Sequence, residues 1–207
     1  AHFGSRHAMT MDNPVLARRP GQPDSPASDA AADSGPLARA AHEIVRAGQR
    51  MDARAWVPAT AGNNSCRLPD GRIAITRSGR HKGFLRIEDV ITVDQAGHPH
   101  DPHDRPSAET LLHCQVYRRM PDVGAVLHGH SVASTVLSMI EPTNALVVQD
   151  YEVQKVFDGQ TTHEAAISVP LFANDQDIAR LAGEVEPYFG AMPAGYIIRG
   201  HGVYVWG

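Results

Sequence analysis

The stretch GAVLHGHSVAST, residues 124–135, carries two histidines one residue apart, at the end of an apolar run and just before a helical pattern begins. Side chains at i and i+2 of a strand point to the same face. A strand over 124–130 therefore projects His128 and His130 together, while Gly129 keeps the opposite face small. Such a pair is a two-point clamp for a metal ion, although in a chain with 12 histidines the pair alone leaves metal binding and coincidence equally open. His201 is the best candidate for a third ligand. Its GHG context breaks two apolar runs, and flanking glycines let backbone and side chain come close to a site; the competing reading is a turn with a polar tip. Three neutral imidazoles with an open position are the ligand set of a catalytic zinc site rather than a structural one. His113 falls in a helical pattern and His98, His100, His103 and His163 in polar, turn-like contexts, so these are expected to be structural or solvated.

Two polar loops form a second group. TAGNNS (60–65) and TRSGRHKG (76–83) set Gly beside Asn, Ser, Thr and Lys next to apolar runs. Exposed backbone N–H groups together with hydroxyls make an anion cradle, yet neither loop matches a P-loop or a dinucleotide fingerprint. Ser107, in RPSAET, opens a helical pattern and either caps it or shares its N-terminus with a phosphate. Taken together, the loops point to a phosphorylated small molecule. Chemistry at a carbonyl held by a metal also needs a base for a carbon-bound proton. Glu109, in the first turn of the same pattern, and Glu152, in DYEVQKVF, are the carboxylates to consider. Nothing in the residues themselves separates either from an ordinary surface carboxylate.

The elements that must position these groups alternate along the chain. Strands are predicted at 72–76, 89–93, 124–130, 145–148, 167–172, 195–200 and 202–207, with helical segments at 107–120, 131–140, 150–157 and 175–189. An amphipathic helix begins near Leu37, with apolar residues at i, i+3 and i+4 spacing through Gly48. The pattern predicts an α/β fold with helices covering a central sheet that is antiparallel in part. Residues 1–35 open on AHFGSRHAMT, which reads as a vector remnant, and continue in a Pro-, Ser-, Asp- and Ala-rich run, so they are expected to be a disordered tail before a domain over 36–207.

Composition narrows the partners. The 207 residues are 42% hydrophobic and carry a formal charge of −4, which leaves no basic stripe for nucleic acid or an anionic membrane. No apolar run nears the ~20 residues that cross a bilayer. Cys66 and Cys114 form no CxxC pair, which fits a reducing cytoplasm.

The segments TAGNNS, TRSG, PSAE, VLHGHS and RGHGVYVWG, in this order and spacing, resemble the class II aldolase/adducin superfamily, from about residue 36 onward. The resemblance implies a three-layer α/β/α sandwich around a mixed, largely antiparallel sheet, and a homotetramer with active sites near subunit interfaces. It implies one Zn2+ per subunit on His128, His130 and His201, and a sugar-phosphate substrate bound by Asn63, Ser78, Gly79 and Ser107 with Lys82 beside them. Glu109 matches the acid/base glutamate of the aldolases, and Glu152 the acid/base of a dehydratase branch. Glu152 is taken as primary. Ala108 replaces one serine of the aldolase pattern, so one phosphate hydroxyl is missing. The chain stops at Gly207, where the resemblance leads one to expect a further helix. An aldolase or epimerase, and a non-catalytic adducin-like interaction module, are the competing readings.

Overall fold

Pro36, with its fixed φ, starts helix α1 (Pro36–Asp52), whose Ala40, Ala41, Ile44, Gly48 and Met51 form one buried stripe. Residues 35–207, apart from 158 and 194, are described by the computed structural model. The tail expected over 1–35 lies outside the described residues except for Gly35.

Eight strands follow: β1 (Asn63–Arg67), β2 (Ile73–Thr76), β3 (Val90–Val93), β4 (Ala125–Gly129), β5 (Ala145–Val148), β6 (Ile167–Phe172), β7 (Gly195–Ile198) and β8 (Gly202–Trp206). They form one sheet in the order β3-β2-β1-β4-β8-β7-β6-β5. Its pairs are antiparallel except β6 with β7, which is parallel.

Three further helices are α2 (Thr110–Arg119), α3 (Val132–Ile140) and α4 (Ile178–Val185). Strand β2 shows how the layers arise. Ile73 and Ile75 join Leu112, Val116, Leu181 and Val185 of α2 and α4 in one core, whereas Ala74 joins Ala41 and Ile44 of α1 in another. Alternate residues thus feed opposite faces, giving the helix–sheet–helix sandwich.

Three expectations change. The polar loop expected over 60–65 runs into a central strand, because Asn63, Asn64 and Ser65 are all buried. The helix expected from 107 starts at Thr110, with Glu109 at its N-cap position. The segment 150–157 yields only a short 3-10 turn, Glu152–Val156, because Val153 and Val156 are exposed and find no core to cover. What holds that turn is the buried Gln154 amide, which donates to the carbonyls of Thr162, His163 and Ala165.

Gly48 sets how closely α1 can approach the loop that carries Lys82. A Cβ there would stand 2.6 Å from the Lys82 carbonyl oxygen. Ile44, 1% exposed, is the largest side chain α1 commits to the sheet. Ile44→Ala should lower unfolding stability by about 2–5 kcal/mol, read as a reduced midpoint in chemical denaturation with an unchanged slope.

Candidate metal centre and substrate cleft

Strand register places the site. Asn63 pairs with His128, His128 with Tyr204, and Tyr204 with Tyr196; these four side chains form a row across β1, β4, β8 and β7 on the face that α2 covers. A slip of one residue in any pair would turn its side chain to the other face. His128 is fully buried, stacks on Tyr204 at 4.1 Å between ring centroids, and has its Nδ1 3.1 Å from the Val203 carbonyl oxygen. A carbonyl only accepts, so Nδ1 carries the proton and Nε2 presents a bare lone pair. Gly202 makes room for the ring: a Cβ there would lie 2.9 Å from His128 Cε1 and 2.5 Å from the Gly129 carbonyl oxygen.

His130 lies just past the end of β4, anchored by its N–H to the Trp56 carbonyl. Its Nε2 still reaches to 2.9 Å from His128 Nε2. His201, in the turn between β7 and β8, closes the group, and one ring nitrogen from each of the three histidines falls within 4.8 Å of the others. Glu109 joins them with Oε1 3.1 Å from His201 Nε2 and Oε2 3.4 Å from His128 Nε2.

The donor set fits a divalent cation. Nδ1 of His201 is buried without a hydrogen-bond partner, His128 offers an unprotonated nitrogen, and an adjacent carboxylate supplies negative charge. Burial pushes His128 down to about 3 despite the opposing pull of Glu109. It also lowers His130, with His201 adding to the effect. Both rings are therefore neutral at pH 7, as ligation requires. Burial disfavours the Glu109 carboxylate, but the hydrogen bond with His201, the field of His128 and the Asn63 amide outweigh it and hold the carboxyl well below the usual range.

Beside this group opens a cleft of ≈ 270 Å³ whose walls include Asn63, Ser78, Gly79, Lys82, Ser107, Glu109 and His130. Loops far apart in sequence thus converge as the anion-cradle reading requires. Lys82 is 1% exposed and donates to the carbonyls of Thr60 and Arg80, leaving its third N–H for the cleft. Burial lowers its ammonium to about 8, with Glu109 pulling the other way. Ser107 does not cap α2; its hydroxyl donates to the Thr76 carbonyl and accepts from the Thr76 hydroxyl.

Glu152 is not brought to this group in the single chain. Its side chain is 75% exposed and pairs with Lys155 at 2.7 Å. His98, His100, His103 and His163 are exposed, as expected for solvated residues. His113 is fully buried, with ring nitrogens on Ser65 and Asn63. The TAGNNS loop contributes Thr60, Ala61 and Gly62 to the cleft wall along with Asn63, and its Ser65 lies behind, hydrogen-bonded to Tyr117, which reading by motif passes over.

The family model for the class II aldolase and adducin N-terminal domain matches residues 42–207. A methylthioribulose-1-phosphate dehydratase from Gluconacetobacter diazotrophicus is 66% identical over 172 residues, covering 83% of this chain and 84% of that protein. One from Pseudomonas aeruginosa (strain LESB58) is 53% identical, covering 80% and 82%. Among solved structures, L-fuculose-1-phosphate aldolase from Thermus thermophilus superposes with a TM-score of 0.65 at 28% identity, covering 83% of this chain and 81% of its own. No described helix is long and apolar enough to cross a membrane.

His128 is the most enclosed of the three imidazoles, so its loss should empty the centre. After loading with a divalent cation and gel filtration, elemental analysis should find about one ion per chain in the parent protein and less than about a tenth of that in His128→Ala.

Proposed function

This chain belongs to the class II aldolase and adducin family, where its dehydratase relatives place it among the lyases, and we propose that its cleft removes water from 5-methylthioribulose 1-phosphate. The product is 2,3-diketo-5-methylthiopentyl 1-phosphate, and the step belongs to methionine salvage. The observation that carries this reading is the meeting of a three-histidine group with an adjoining cleft, entered by His130 and Glu109 and lined by hydroxyl, amide and ammonium donors.

His128, His130 and His201 hold the cation, which we take to be zinc because three imidazoles and an open position suit it. When bound, the ion supplies Lewis-acid polarisation of the ketone. Lys82, Ser78, the Gly79 backbone, Ser107 and Asn63 grip the phosphate and sugar hydroxyls and fix the register. Glu152 removes the C3 proton and returns it to the C4 hydroxyl as that group leaves, so water departs and the enol tautomerises to the diketone.

A carboxylate so exposed in one chain reaches a cleft through assembly. Tyr151, Val153 and Val156 beside it are exposed, as are Val132, Val136, Met139 and Ile140 of α3, and large apolar side chains clustered at a surface favour association. This favours the homotetramer, with Glu152 of one copy serving the cleft of the next. Two free thiols, Cys66 and Cys114, fit a cytoplasmic enzyme.

One observation favours a second reading. Glu109, the acid/base position of the aldolases, stands against the imidazoles, as aldol cleavage or epimerisation would need. Incubation with the methylthio sugar phosphate should yield the diketone, whereas release of dihydroxyacetone phosphate from ketose 1-phosphates would support the aldolase instead.

Glu152→Gln should keep its metal and lose turnover by roughly a hundredfold or more. Mixing its subunits with His128→Ala subunits should restore activity that neither has alone if the carboxylate acts across the interface. The Lys82 ammonium predicts an alkaline limb. Phosphate binding needs the charge, which is present below about pH 8 and lost above it, so kcat/KM should fall as pH rises through that value and the limb should vanish in Lys82→Met.

A further inference from the structure

Behind the cleft, hydrogen bonds run in an unbroken line from the core to the acid at the metal centre. Tyr117 Oη lies 2.8 Å from Ser65 Oγ. Ser65 Oγ lies 2.7 Å from His113 Nδ1, and His113 Nε2 lies 2.5 Å from Asn63 Oδ1. Asn63 Nδ2 donates to Glu109 Oε2 at 2.7 Å. Ser65, His113 and Tyr117 are buried and line no part of the cleft.

The chemistry of the partners allows one direction for every proton. A carboxylate only accepts, so Asn63 must turn its NH2 toward Glu109 and its carbonyl oxygen toward His113. That oxygen needs a donor, which makes His113 the Nε2–H tautomer and leaves Nδ1 bare. The bare nitrogen takes the Ser65 hydroxyl proton, and Ser65, its own proton spent, accepts from Tyr117. We propose that His113 is a positioning residue, whose Nε2–H locks the Asn63 amide in the orientation that holds Glu109 against His128 and His201. This rests on the reaction assigned above only for its kinetic readout; the tautomer it requires does not.

The metal-loaded enzyme tests it in two ways. His113→Leu removes the donor, leaves the Asn63 amide free to rotate, and should lower kcat at least roughly tenfold, with KM rising as well because Asn63 also grips the substrate, and with metal content unchanged. His113→Gln puts an amide N–H near the position of Nε2 and should recover kcat to within about threefold of the parent. A folded His113→Leu enzyme with parental kcat overturns the proposal, as does a His113→Gln enzyme as slow as His113→Leu. Neutron diffraction from the deuterium-exchanged holoenzyme should show a deuteron on His113 Nε2 and none on Nδ1; a deuteron on Nδ1, with or without one on Nε2, overturns it. If the parent enzyme forms no diketone, the assigned reaction fails, and the deuteron position still decides the role of His113.

Discussion

The site depends on one hydrogen bond in the middle of the sheet, from His128 Nδ1 to the carbonyl of Val203. A fully buried imidazole carries one donor and one acceptor, and each must find a partner or a purpose. Antiparallel pairing of β4 with β8 brings the carbonyl within reach of the ring, so strand pairing itself determines which nitrogen stays bare. Tyr204 stacks flat on the ring from the neighbouring strand and Gly202 yields it space. The ring is left one orientation, and the bare lone pair faces His130 and Glu109.

Charge is then divided between the two walls. His128 and His130 are held neutral because burial disfavours imidazolium, and the fixed anion beside them is Glu109. The opposite wall carries the Lys82 ammonium, itself lowered by burial. On the proposed reading, a substrate with a phosphate at one end and a carbonyl beyond it would be oriented before any chemistry begins, since exchanging its ends would place phosphate against a carboxylate. The same burial that makes these groups costly to fold makes their fields strong.

The three histidines were legible because a strand imposes a period of two and GHG marks a tight turn; both signals are local. The cradle residues were legible as a set, since loops rich in Gly, Ser and Lys recur beside strands, although their convergence depends on β1 lying at the sheet's centre. That strand was not legible. Asn63, Asn64 and Ser65 look like a loop, and they are tolerated in a central strand because Asn63 and Ser65 are claimed by groups on α2. Ser107 was misplaced by three residues as a helix start because its hydroxyl bonds the buried Thr76 of β2 rather than the helix behind it. For 150–157, periodicity promised a helix, but an apolar stripe becomes helical only where a core receives it. The resemblance to a family contributed what no spacing could, namely the preference for Glu152 over Glu109 as the acid/base.

The order of the strands has a further consequence, for how the chain reaches its native state. Pairs β1 with β2 and β7 with β8 are local hairpins, but β1 with β4 and β4 with β8 join segments about 60 and 75 residues apart. His128 and His201 stand side by side only once that long closure is complete. The unfolded chain therefore does not bring the three imidazoles together, and a cation held by the finished sheet would act as a latch, stabilising the seam whose closure assembles them.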